Sequence, residues 1–145
     1  AGYTPLGCAV ANKKVGDVIK KKDWTWGHTW QPTMTGISAM NTVNDIIVRE
    51  NLFSKCQGIE DKLRSVSESL LNKNYITGYR LSGLLLSLDA HRDLSQEELQ
   101  ESGIVLTKTR NKSMRIIANF LWDDEFFYEM EKRLSNFFSI NTTEG

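Results

Sequence analysis

Four apolar side chains, Ile59, Leu63, Val66 and Leu70, recur at intervals of four, three and four residues. That spacing puts them on one face of an α-helix, because strand side chains return to a face every second residue instead. A helix with one apolar stripe must bury it against another element, so this feature fixes what the neighbouring segments have to supply. They offer further stripes. Ile37, Met40, Val43 and Ile47 fit one helical face upstream. Gly78 interrupts, and Leu81, Leu84, Leu85 and Leu88 predict the next helix. Ser95-Gln-Glu-Glu98 is a capping box, in which the Ser hydroxyl and the Glu carboxylate each satisfy a free backbone N–H, with Leu94 and Leu99 placed as a hydrophobic staple. Gly103 then stops that short helix. Thr107 or Thr109 caps a fifth, whose face is Met114, Ile117, Ala118 and Leu121. Asp123 or Asp124 caps a sixth, with Phe127, Met130, Leu134, Phe137 and Phe138 inward. Connections of a few residues imply antiparallel neighbours. The expected fold is all-α, an antiparallel bundle of about six helices. Its expected core holds Leu63, Leu84, Leu85, Leu88, Ile117, Leu121, Phe127 and Leu134.

Residues 1–36 differ from this pattern. They hold both prolines, five of the ten glycines and three of the four tryptophans. The expected organisation is an irregular, Trp-rich segment over 1–36 and the bundle over 37–145. Trp24, Trp26, His28 and Trp30 alternate with small residues, so period two places the four rings on one face. One reading is an aromatic flap packed on the helices. The other is a stacking platform for a ligand or base.

Charge is unevenly spread although the formal total is zero. Lys108, Arg110, Lys112 and Arg115 form a basic block free of acids. Asp89, Asp93, Glu97, Glu98 and Glu101, with Arg92, form an acidic one. A neutral total argues against a general nucleic-acid binder, which needs concentrated positive charge. Lys13, Lys14, Lys20, Lys21 and Lys22 give the N-terminal segment a local excess, and with the tryptophans they sustain the alternative of a nucleic-acid- or nucleoprotein-associated domain.

The catalytic inventory is thin. His28 and His91 are the only histidines and lie in different segments. No His-Glu-x-x-His, phosphate loop, Gly-x-Ser-x-Gly or cysteine metal spacing occurs. Glu97-Glu98 and Asp123-Asp124-Glu125 fall at helix starts, where capping explains them. No catalytic residue, cofactor or metal is therefore expected. No apolar run approaches the roughly 18 residues of a membrane span, and the N-terminus lacks the order of a signal peptide. Cys8 and Cys56 read as free thiols of a reducing, cytoplasmic setting, with a single disulfide as the alternative.

Leu94 to Leu121 fits a helix-turn-helix poorly, because Thr109 and Lys112 are polar where the recognition helix should be apolar. The segment around 59–140 resembles a caspase-recruitment domain of the death-fold superfamily. Leu94-Ser-Gln-Glu-Glu-Leu99 is similar to its short acidic third helix, Thr109 to Ile117 to its basic run and Phe127 to Leu134 to the following amphipathic helix. Leu63 to Leu71 and Leu81 to Leu88 resemble its first two helices. A sterile-alpha-motif domain is the rival, through Glu101-Ser-Gly-Ile104 and the basic segment after it. The resemblance implies a non-enzymatic interaction module, an adaptor in signalling or defence. Its partner would be another helical domain of the same type, with self-association through the two charge blocks and no nucleic acid.

Overall fold

The computed structural model describes residues 3–22, 27, 33–101, 103, 106–109 and 112–141, without the side chains of Glu101 and Asn141. The chain divides into two units, residues 1–50 and 51–145.

In the first unit an extended stretch leads into α1 (Lys13–Lys21). Asn12 caps it, its Oδ1 accepting from the Val15 N–H at 3.0 Å. Thr33 caps α2 (Met34–Arg49) in the same way, accepting from the Gly36 N–H at 3.1 Å. Gly36 is required by a close approach: a Cβ there would lie 2.8 Å from Thr33 Oγ1 and 3.3 Å from Leu6 Cδ1. It is also the one buried residue among those described in this unit. Val10, Met34 and Val48 are exposed.

The second unit is a sheet covered on one face by helices. α3 (Leu52–Asn72) carries the stripe Ile59, Leu63, Val66 and Leu70, and all four are buried. β1 (Gly78–Ser82) and β2 (Leu85–Asp89) form a hairpin. After α4 (Gln96–Glu101) come β3 (Thr107–Lys108) and β4 (Ser113–Ile117). α5 (Asp124–Asn141) closes the unit. The strand order is β1-β2-β4-β3, antiparallel throughout. α3 packs on α5 and on β1. Between helices and sheet lie Leu86 and Leu88 of β2, Met114 and Ile116 of β4, and Phe127, Leu134, Phe137 and Phe138 of α5.

The expected all-α bundle is thereby corrected at two places. Leu81, Leu84, Leu85 and Leu88 do not share a helix. Gly83 takes a left-handed φ of +55°, a conformation costly for side-chain-bearing residues, and turns the chain over two residues. On β2 the alternating Leu86 and Leu88 are buried, whereas Leu85 is 47% exposed. A short leucine-rich run fits both periods, and the glycine decides between them. The expected fifth helix is likewise β4. Met114, Ile116 and Ala118 are buried at period two, leaving Ile117 63% and Leu121 87% exposed. Leu63, Leu88, Phe127 and Leu134 are core residues as expected, and Leu84 is partly buried.

The helix starts read from sequence are present. The Glu98 N–H donates to Ser95 Oγ at 3.1 Å and the Ser95 N–H to Glu98 Oε2 at 2.7 Å. The Phe126 N–H donates to Asp123 Oδ1 at 2.9 Å. The strands β3 and β4 fall within the stretch that carried the death-fold resemblance, so that resemblance, with its sterile-alpha-motif rival, is withdrawn.

Candidate functional site

Helices cover one face of the sheet, and the other carries polar side chains in register. One cross-strand row runs Arg80, Ser87, Arg115, Thr107. The next runs Gly78, Asp89, Ser113, and a third Ser82, Leu85, Ile117. Side chains of directly paired residues share a face, so these rows form one surface.

Asp89 is the acid of this surface and both its oxygens are engaged. Arg80 Nη1 donates to Oδ2 at 2.8 Å and Nη2 to Oδ1 at 2.9 Å. Ser113 Oγ also donates to Oδ1. Arg80 Nη2 lies 3.1 Å from Ser87 Oγ and 3.2 Å from Ser113 Oγ. A forked guanidinium–carboxylate pair of this kind fixes geometry as well as adding attraction. Arg115 stands differently: it is exposed, and its guanidinium has no hydrogen-bond or ion-pair partner among the described residues. It also lines a recess of about 490 Å3 whose other walls include Leu106, Trp122, Phe126 and Met130 and the ion pair of Arg133 with Glu129 at 2.9 Å. Trp122 stacks on Phe126 with ring centroids 4.3 Å apart.

Among the described residues one ion pair joins the two charge blocks of the sequence, and a second lies within the acidic one. Lys108 pairs with Asp93 at 3.0 Å and Arg92 with Glu98 at 2.7 Å. The Arg92 contact, with the Ser95 N–H, pulls the Glu98 carboxyl down to about 2. Glu97 is lowered by its own backbone N–H and then by the Ser95 hydroxyl. Lys112, at a left-handed φ of 64°, donates from Nζ to the His91 carbonyl at 2.7 Å. Arg110, the side chain of Glu101, and Trp24, Trp26, His28 and Trp30 lie outside the described residues.

Placing Asp89 and Arg115 in opposite blocks hid that they share a face. Arg80, Ser87 and Ser113 were missed altogether. The signal was available: Leu85-Leu-Ser-Leu-Asp89 and Ser113-Met-Arg-Ile-Ile117 both alternate, with every polar residue on the odd positions.

Comparison with known proteins identifies the class. The model of the aminotransferase class-III family matches residues 1–138, and the chain belongs to that family. Solved structures share its fold. The taurine:2-oxoglutarate aminotransferase of Bifidobacterium kashiwanohense, in complex with PLP and glutamate, superposes with a TM-score of 0.82 at 18% identity, over 99% of this chain and 36% of that one. An amine transaminase from an uncultivated Pseudomonas species gives 0.79 at 19% identity, over 96% of this chain and 36% of that one. The acetylornithine aminotransferase of Elizabethkingia anophelis gives 0.72 at 22% identity, over 90% and 36%. The chain thus spans little more than a third of the length of these relatives. No curated protein sequence matches it. Membership of an enzyme family overturns the reading of a non-enzymatic adaptor that assembles homotypically. Among the described residues no helix is long and apolar enough to cross a membrane.

Proposed function

We propose that the protein is an aminotransferase, moving an amino group between an amino compound and a keto acid, and that Arg115 receives a substrate carboxylate. Family membership supports the reaction class. The observation that carries the site is the Arg115 guanidinium, uncommitted among the described residues, beside a mostly apolar recess of small-molecule size. Guanidinium presents two parallel donors that match a carboxylate, which makes arginine the usual residue for that recognition. 2-Oxoglutarate, after which the Bifidobacterium relative is named, is a dicarboxylate and a natural first acceptor to try.

Pyridoxal phosphate, present in that same relative, needs a sheltered lysine amine together with anion-binding groups. The described residues do not assemble that set. Lys62 and Lys108 are the partly covered lysines, and each is held by a carboxylate, Asp124 and Asp93. The remaining described lysines are exposed. The residues of this chain therefore serve the binding and orientation of substrate.

We place the activity in the cytoplasm, a reading supported by Cys8 and Cys56, which are both free thiols. The full-length protein, supplied with the cofactor and offered a panel of amines and amino acids, should form glutamate from 2-oxoglutarate. Failure across the panel, with the cofactor bound, would remove the aminotransferase reading.

A further inference from the structure

We propose that Arg80 is a positioning residue for Arg115: by holding both oxygens of Asp89, it keeps that carboxylate from closing on the Arg115 guanidinium. The inference rests on the reading of Arg115 as the carboxylate-binding group.

The register supplies the competition. Asp89 pairs with Ser113, and Arg115 with Ser87, so Asp89 and Arg115 are diagonal neighbours on adjacent strands and on the same face. Diagonal neighbours lie about 7–8 Å apart, within reach of a long side chain. An exposed arginine beside an uncommitted aspartate would ordinarily pair with it, and a substrate carboxylate would then have to displace that aspartate. Here the aspartate is already taken. Arg80 approaches from β1 on the far side of β2 and grips both oxygens, while Ser113 adds a third hydrogen bond. Ser87 and Ser113 anchor the Arg80 guanidinium in turn. Arg80 is largely exposed, so the ion pair itself adds little to stability, while Asp89 and Ser113 are mostly covered. The pair's effect on Arg115 is electrostatic: Asp89 is neutralised by Arg80 and both its oxygens are occupied, so the Arg115 guanidinium is left without an acidic partner among the described residues.

The test uses the full-length protein, with 2-oxoglutarate binding followed by calorimetry and the Arg115 Nε–Hε resonance followed by NMR. Arg80→Gln should weaken binding about threefold to fivefold, the scale of one partly exposed ion pair, and should shift the Arg115 resonance. Arg80→Gln with Asp89→Asn should restore binding to within about twofold, because the competing charge is gone. Asp89→Asn alone decides the point with Arg80 in place. It should bind as tightly as the unmodified protein or tighter; binding weakened in parallel with Arg80→Gln would mark the network as merely structural and overturn the proposal. Unchanged binding in Arg80→Gln, or no rescue in the double variant, overturns it equally. Arg115→Gln separates this from the underlying reading. If it abolishes binding while Arg80→Gln does nothing, the positioning role falls and the Arg115 reading stands. If Arg115→Gln binds normally, both fall.

Discussion

Replacing Leu86 by Ala removes three carbons from a fully buried position facing Ile116 across the β2–β4 ladder. Fully burying a Leu side chain contributes about 1.5–3 kcal/mol by transfer alone. The cavity left in a core that relaxes only in part adds to this, so the expected cost is about 2–5 kcal/mol. Leu85, one residue earlier, points to the open face and is 47% exposed. Its replacement by Ala should cost well under the Leu86 value, within about 1 kcal/mol. Urea unfolding of the full-length protein, followed by far-ultraviolet circular dichroism, reads both. With an m-value of about 1–3 kcal/mol/M, the Leu86 variant should lose on the order of 1–2 M in midpoint while the Leu85 variant stays near the parent. The order of the two is the informative part. A helix through this run would bury Leu85 beside Leu84 and Leu88. If Leu85→Ala costs as much as Leu86→Ala or more, the hairpin and its open face are wrong.

Glu98 provides a pH-dependent prediction. Its carboxyl is held at about 2 in the folded chain, below the ordinary 4.5, by Arg92 and the Ser95 N–H. The stabilisation is therefore fully present above the ordinary value and is lost as pH falls toward about 2. Denaturation midpoints measured between pH 6 and 2 should decline less steeply in Glu98→Gln than in the parent, and identical slopes would contradict the capping assignment. Gly83→Val should destabilise by about 1–2 kcal/mol, since φ is left-handed there and the new side chain is β-branched. A thermal melt unchanged by that substitution would mean the β1–β2 turn is built differently.

What the sequence made legible was what local chemistry decides. The stripe from Ile59 to Leu70, the Ser95–Glu98 capping box, the Asp123 cap and the apolar face of α5 all appear where the residues put them. Each depends on neighbours three or four residues away. The sheet depends on partners farther off. Leu88 meets Met114 across 26 positions, and neither five-residue strand is long enough for its period to exclude a helix. Gly83, read as part of a leucine-rich helix, was the local sign of a turn. The candidate site was illegible for the same reason. Asp89 and Arg115 belong to runs of opposite net charge, and only register puts them on one face with Arg80, Ser87 and Ser113. The charge blocks are features of composition, and in the folded chain Lys108 pairs with Asp93 and Arg92 with Glu98.

The place of Arg115 in the proposed reaction is open to a direct kinetic comparison. The kcat/KM of the full-length protein is measured with a carboxylate-bearing acceptor and with a matched aldehyde acceptor lacking the carboxylate, for the parent and for Arg115→Gln. A charge-assisted hydrogen-bond pair to a carboxylate contributes about 1.5–3 kcal/mol, so the carboxylate-bearing acceptor should lose roughly 10- to 150-fold. The aldehyde should change little, because it never used the guanidinium. Equal losses for both acceptors, or none for either, would contradict the assignment of Arg115 as the carboxylate-binding residue of an aminotransferase.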